Sequence, residues 1–200
     1  MDHQYWENRY IENDTPWSLH HANPALIRYM EDKSREASVL IPGAGTSYEV
    51  IELFNMGFKD ITICDISATA LSLLEKNVEK TIQKDHSIRF VHGDFFALTG
   101  QYDYILEQTF FCALLPEKRE EYVRKMFDLL RENGTLFGVL FATPFLKPGP
   151  PFGGEEKEYK SLLSKLFYIK EISMCTHSVK PRQGNELFFI CKKLVNPHFL

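Results

Sequence analysis

Val39-Leu40-Ile41-Pro42-Gly43-Ala44-Gly45-Thr46-Ser47-Tyr48-Glu49-Val50-Ile51-Glu52-Leu53-Phe54, followed by Ile61-Thr62-Ile63-Cys64-Asp65, carries the pattern of two strands joined through a glycine loop and a helix. Val39 to Ile41 is a short apolar run closed by proline, the pattern of a buried strand. Gly43 and Gly45 let the chain turn with torsions that other residues avoid. Thr46 and Glu49 have the spacing of a capping box, and Val50, Ile51, Leu53 and Phe54 then recur at helical period. Gly57 punctuates the end of that helix, and Ile61 to Cys64 reads as a second buried strand stopped by Asp65. Strand, glycine loop, helix, strand is the signature of a parallel βαβ unit.

The alternation extends in both directions. Upstream, residues 3–13 can form a short helix, and Asn23–Pro24 reads as a cap and first turn of another, with Leu26, Tyr29 and Met30 on its apolar face. Downstream, Ser67 caps a helix carrying Ala70, Leu74 and Val78. Ile88 to Val91 is a third strand before Gly93–Asp94, and Tyr104 to Leu106 ends a fourth. Pro116 opens an amphipathic helix that Asn133–Gly134 stops, and Leu136 to Phe141 is a fifth strand. A Pro/Gly-rich loop (Lys147 to Gly154) and a helix near Glu156–Phe167 precede two strands, near Ile169–Thr176 and Leu187–Cys191. These two have no long helix between them and so read as antiparallel. The expected fold is α/β: a seven-stranded, mostly parallel sheet with one antiparallel strand.

Two hundred residues with 44% apolar content fit one domain, residues 1–200, with a core large enough to need no staple. A net charge of −4 and the lack of a basic stripe argue against nucleic acid. The longest apolar run, Thr135 to Leu146, is broken by Pro144 and is too short for a membrane span. The N-terminus lacks a signal-peptide pattern. Cys64, Cys112, Cys175 and Cys191 form no CxxC pair and read as free thiols of a cytoplasmic protein.

Ligands of open parallel sheets sit beyond the carboxyl ends of the strands. Gly43 and Gly45 lie at that end of the first strand, and Asp65 at that end of the second, where a carboxylate can accept both hydroxyls of an adenosine ribose. The alternative, a plain tight turn and a helix-entry aspartate, explains each residue singly but not their order. A dinucleotide fingerprint would place a third glycine where Tyr48 stands. A ligand without phosphates needs no such close approach, which favours S-adenosylmethionine over a nicotinamide cofactor. Gly93–Asp94–Phe95 fits an adenine site, with Asp94 accepting from the exocyclic amine and Phe95 or Ile66 covering a ring face; Asp94 can equally be a loop cap.

Several short runs then carry a resemblance: Trp6-Glu7-Asn8-Arg9-Tyr10, Thr15-Pro16-Trp17, the glycine loop, Asp65-Ile66-Ser67, Gly93-Asp94-Phe95-Phe96, Phe110-Phe111-Cys112-Ala113 and Gly149-Pro150-Pro151-Phe152-Gly153-Gly154. Together they resemble the thiopurine S-methyltransferase superfamily, and within it the halide/thiol methyltransferase branch. The resemblance implies a Rossmann-like class I methyltransferase with helices on both faces of the sheet. It places Trp6, Tyr10 and Trp17 in an N-terminal segment (residues 1–22) that closes over S-adenosylmethionine. It has Gly43, in the loop it shares with Gly45, touch the cofactor through the backbone, Asp65 hold the ribose, Gly93 and Asp94 flank the adenine, and Gln108 lie beside the methionine portion. Tyr10 and Gln108 depart from the residues usual in relatives.

Methyl transfer from a sulfonium to a thiol, sulfide, halide or thiopurine-like acceptor is an in-line displacement that gains most from alignment and exclusion of water. A soft nucleophile of that kind requires no strong base, so no catalytic residue is assigned. Trp17, Phe110, Phe111 and Phe152 are the candidate acceptor wall, with residues 146–156 as the acceptor-side loop. Cys112 shows no partner base. His20–His21 lacks ligand spacing, so no metal is expected. Nothing forces an interface, and a monomer is expected. The competing readings are a nicotinamide-dependent oxidoreductase on a similar sheet and a non-catalytic S-adenosylmethionine-binding protein.

Overall fold

The computed structural model describes residues 2–82, 88–145 and 149–194. Positions 146–148, the first part of the expected acceptor-side loop, lie outside the described residues. Seven strands belong to one mixed sheet, and the chain divides into two compact units, Met1–Leu98 and Thr99–Leu200.

The first unit holds helices α1 (His3–Ile11), α2 (Pro24–Met30), α3 (Glu49–Asn55) and α4 (Ala68–Thr81), and strands β1 (Ser38–Pro42), β2 (Asp60–Asp65) and β3 (Ile88–His92). The three strands are parallel, in the order β3-β2-β1, with Ile41 opposite Ile63 and Ile63 opposite Phe90. Val39, Leu40, Ile61 and Ile63 are completely buried. Such strands read as unbroken apolar runs because both faces are covered. Asn23 and Ser67 cap α2 and α4 as expected, accepting from the amides of Ala25 and Ala70.

The capping box at the start of α3 does not form. The helix begins at Glu49, behind Tyr48, and no side chain caps it. The Glu49 carboxylate is buried and accepts instead from the backbone amide of Asn23 (2.8 Å) and the hydroxyl of Ser47 (2.6 Å). A long-range backbone donor has taken the acceptor that local spacing had assigned to the helix end.

The second unit holds β4 (Tyr102–Gln108), α5 (Arg119–Leu129), β5 (Leu130–Phe141), α6 (Glu156–Leu163), β6 (Phe167–Met174) and β7 (Glu186–Lys193). Here the order is β4-β5-β7-β6: β4 and β5 are parallel, and β7 runs antiparallel to both β5 and β6. Asn133–Gly134 does not end the preceding helix. That helix stops at Leu129, and β5 includes the pair within an irregularity of its pairing with β4, Leu130 opposite Tyr102 and Thr135 opposite Tyr104, with Asn133 at φ +62°. The last helix also stops earlier than expected, at Leu163, because Phe167 already pairs with Lys193.

Candidate active site

The first unit places the predicted glycine loop at the carboxyl end of β1. Gly43 and Gly45 both take positive φ, +56° and +53°, in the left-handed region where glycine carries no steric cost. At Gly45 space is short as well: a Cβ there would come within 2.3 Å of the Tyr10 hydroxyl oxygen. Asp65, at the end of β2, binds this loop directly. One carboxylate oxygen accepts from the Gly45 amide (2.7 Å), the other from the Ser67 amide (2.8 Å). Burial pushes the Asp65 carboxyl upward against the lowering effect of those amides. The Ile66 amide adds a third hydrogen bond, and an ionised carboxylate, with about four lone-pair directions, keeps capacity for a ribose hydroxyl.

Trp6, Tyr10 and Trp17 meet in one cluster. Trp17 stands edge-on to Trp6 (ring centroids 5.7 Å apart) and to Tyr10 (5.8 Å), and Arg9 lies 4.8 Å over the Trp17 ring. Tyr10 is buried, with its phenol pushed up by desolvation and by the nearby Asp65 carboxylate while Trp17 hydrogen-bonds to it. Glu7, on the same helix, was not anticipated. It accepts from the Ser67 hydroxyl (2.6 Å), the Thr69 hydroxyl (2.5 Å) and the Thr69 amide (3.3 Å). Burial pushes the Glu7 carboxyl up, but the hydrogen bonds from Ser67 and Thr69 prevail and hold it below the ordinary value. No local pattern marks Glu7, since its partners lie some sixty residues away.

At the end of β3, the Gly93 amide donates to the Asp65 carbonyl (3.0 Å), and a Cβ on Gly93 would meet open space. Asp94 is exposed and caps the following 3-10 turn by accepting from the Phe96 amide, 2.9 Å away. Phe95 is buried against Phe96, whereas Ile66 is half-buried. Of the two residues considered for covering a ring face, Ile66 has the surface to do so.

In the second unit, β4 ends at Gln108, whose Oε1 is buried without a hydrogen-bond partner among the described residues. Native proteins rarely leave such an atom unpaired, so it marks a place for an external donor. Thr109 follows at φ +58°, a strained torsion for a β-branched residue. The run from Phe110 to Ala113 then turns tightly over Glu107, which is wholly buried at the preceding position. Glu107 accepts from the amides of Phe110 and Phe111, both at 2.9 Å, and from the Tyr122 hydroxyl. Burial pushes its carboxyl up to about 7. Glu107 was not singled out from the sequence; an acid directly after the apolar Ile105–Leu106 of a buried strand is the signal that could have found it.

A small cavity is lined by Glu107, Thr109, Phe111, Cys112, Phe141 and Tyr159. Phe111 belongs to this wall. Phe110 packs against Tyr122 and does not line the cavity, nor does Phe152. Phe152 instead fastens its loop to the same turn through its amide and the Cys112 carbonyl (2.7 Å). Arg119, a residue that sequence reasoning passed over, holds the loop from the other side. It donates to the Gly153 carbonyl (2.8 Å), pairs with Glu158 and lies 4.8 Å over the Phe111 ring. The Cys112 thiol is pushed up to about 12 by burial, the opposite of an activated nucleophile. Among the described residues, no group of three His, Cys, Asp or Glu is placed to hold a metal ion.

The family model of the thiopurine S-methyltransferases matches residues 1–193. The chain belongs to that family. It is 30% identical over 186 residues to the probable thiol methyltransferase 2 of Arabidopsis thaliana, covering 90% of this chain and 81% of the relative. It is 24% identical over 207 residues to the thiopurine S-methyltransferase of Acinetobacter baylyi, covering 92% and 94%. The fold is shared with the magnesium protoporphyrin IX methyltransferase of Synechocystis bound to S-adenosylhomocysteine (TM-score 0.76, 14% identity, 96% of this chain and 100% of that one). This member of the thiopurine S-methyltransferase family is therefore a class I, S-adenosylmethionine-dependent methyltransferase, and family membership disfavours the nicotinamide reading. The residues present fit the cofactor. Asp65 retains acceptor capacity beside a glycine loop that admits close approach, and Gln108 carries an orphaned acceptor.

Proposed function

We propose that this protein methylates a small, soft nucleophile of the thiol, sulfide, halide or thiopurine type. The observation that carries the reading is the Asp65–Gly45 hydrogen bond under the Trp6–Tyr10–Trp17 cluster, a built cradle for an adenosine ligand. Its relatives in Arabidopsis and Brassica oleracea bear the names thiol and thiocyanate methyltransferase, which favours small sulfur acceptors.

S-adenosylmethionine, when bound, supplies the electrophilic methyl group. The chain's own part is to bind, orient and exclude water. Gly43, Gly45 and Asp65 hold the ribose side; Gly93 and Asp94 lie along the adenine side, with Ile66 covering the ring face; Gln108 meets the methionine portion. Trp6, Tyr10 and Trp17, within the 1–22 segment, close over it as a lid. Phe111 serves as acceptor wall, and Phe110 and Phe152 shape that wall through Tyr122 and Cys112. No group of this chain is required as a base, because a thiolate or halide reaches the methyl carbon already charged.

We place the chain as one domain (1–200) working as a monomer in the cytoplasm, on a small molecule and without nucleic acid or metal. Its four thiols are all buried and unpaired, as in a reducing compartment. Among the described residues no helix is long and apolar enough to cross a membrane. Side-by-side calorimetric titration with S-adenosylmethionine and NAD tests the cofactor. Turnover with a panel of thiols, sulfide, iodide and thiocyanate, read by headspace mass spectrometry, tests the acceptor. Cofactor binding without turnover on any acceptor would point to a binding protein.

A further inference from the structure

We infer that Glu7 is a positioning residue for cofactor binding, acting through Ser67 on the carboxylate of Asp65; this rests on the proposed reading of Asp65 as the ribose acceptor. Ser67 is wholly buried, and every polar group it offers to its surroundings is spoken for. Its hydroxyl donates to Glu7 and accepts from the Ala70 amide, while its own amide donates to Asp65 Oδ1. The other Asp65 oxygen is held by Gly45, whose outer side faces the Tyr10 hydroxyl. Glu7 and Tyr10 lie on the same helix, α1. One helix thus touches the ribose carboxylate from two directions: Glu7 through Ser67, and Tyr10 through the glycine loop.

The consequence is a link between the seating of α1 and the aim of Asp65. Glu7 accepts three hydrogen bonds at the start of α4, where amides without helical partners favour a negative charge. With Glu7 in place, the Ser67 hydroxyl has one orientation, and the turn from Asp65 to Ser67 is fixed at both ends. Without it, the hydroxyl is free to rotate and α1 loses its polar tie to α4. The Asp65 carboxylate then has to be ordered when the ribose arrives, which weakens binding by the cost of that ordering.

Calorimetry with S-adenosylhomocysteine, and with an analogue lacking both ribose hydroxyls, tests the link on wild type, Glu7→Ala, Glu7→Gln and Asp65→Ala. Glu7→Ala is expected to bind S-adenosylhomocysteine roughly tenfold more weakly, the size expected for losing a charge-assisted hydrogen bond. Glu7→Gln, which keeps the shape and one acceptor oxygen, is expected to show a smaller loss of the same sense. For the analogue the Glu7→Ala loss should vanish, because Asp65 has nothing left to hold. An equal loss for both ligands would mean that Glu7 only seats the helix, and an unchanged affinity would mean that it does neither; each overturns the inference. Asp65→Ala separates the two levels. If it leaves S-adenosylhomocysteine binding intact, the ribose reading itself fails and the inference falls with it; if it weakens binding while Glu7→Ala does not, the link alone is wrong.

Discussion

Tyr122 donates its hydroxyl proton to the carboxylate of Glu107 inside the core, and neither side chain reaches solvent. The same carboxylate gathers the amides of Phe110 and Phe111. A group that orders the Phe110–Phe111 turn is thus held where a negative charge is costly to keep, and burial raises its titration from 4.5 to about 7.

That shift sets a pH dependence of stability. Between pH 4.5 and 7 the folded chain holds a proton on Glu107 that the unfolded chain has already lost, so rising pH favours unfolding across this window. The contribution is fully present below the unfolded value and lost as pH climbs through the folded one, an effect of about 3 kcal/mol at most. Urea denaturation at pH 5, 6, 7 and 8 should show wild type losing stability relative to Glu107→Gln. Parallel curves for the two proteins would show that Glu107 does not titrate in this range.

Replacing Asp65 by alanine should weaken S-adenosylmethionine binding by about 1–3 kcal/mol, the usual range for removing a charged acceptor. The amides of Gly45 and Ser67 lose their partner in the same step, so the unfolding midpoint should fall as well. Calorimetry and a thermal melt read the two effects separately.

Gly45→Ala is expected to be more damaging than the removal of one hydrogen bond. The position combines φ +53° with a Cβ placed 2.3 Å from the Tyr10 hydroxyl, so the new methyl must displace Tyr10 or the loop. Loss of cofactor binding in a variant with near-native circular dichroism is the expected outcome.

Gln108→Leu should separate stability from binding. It removes a buried, unpartnered oxygen, so stability should hold or rise by about 1 kcal/mol. Cofactor affinity should fall if that oxygen serves the methionine portion. Equal affinity in wild type and variant would remove Gln108 from the cofactor site.

Arg119→Met takes away the donor that holds the Gly153 carbonyl and the cation over Phe111. Faster hydrogen exchange in residues 149–154 and a several-fold higher KM for the acceptor are expected. Cofactor affinity should stay unchanged, since Arg119 touches no group assigned to the cofactor.

The order of elements and the kind of ligand are legible along the chain. Short apolar runs at Val39–Ile41 and Ile61–Cys64, bounded by proline, glycine and aspartate, read as strands covered on both faces, which puts the glycines and Asp65 at their carboxyl ends. Such features are legible because they rest on neighbours in the chain. What the tertiary structure decided involves partners far apart in sequence. Glu49 was spaced to cap its own helix, yet Asn23 claims its carboxylate. Asn133–Gly134 looked like a helix stop, yet the helix has already ended at Leu129 and β5 pairs with β4 on both sides of it, Leu130 opposite Tyr102 and Thr135 opposite Tyr104. Glu7 reaches Ser67, Arg119 reaches Gly153, and Tyr122 reaches Glu107. Local propensity contributes only fractions of a kcal/mol per residue, whereas a buried polar atom left unpaired costs about 1–3 kcal/mol. Where the two compete, the distant partner wins, and that is why the polar scaffold around the site had to be seen in three dimensions.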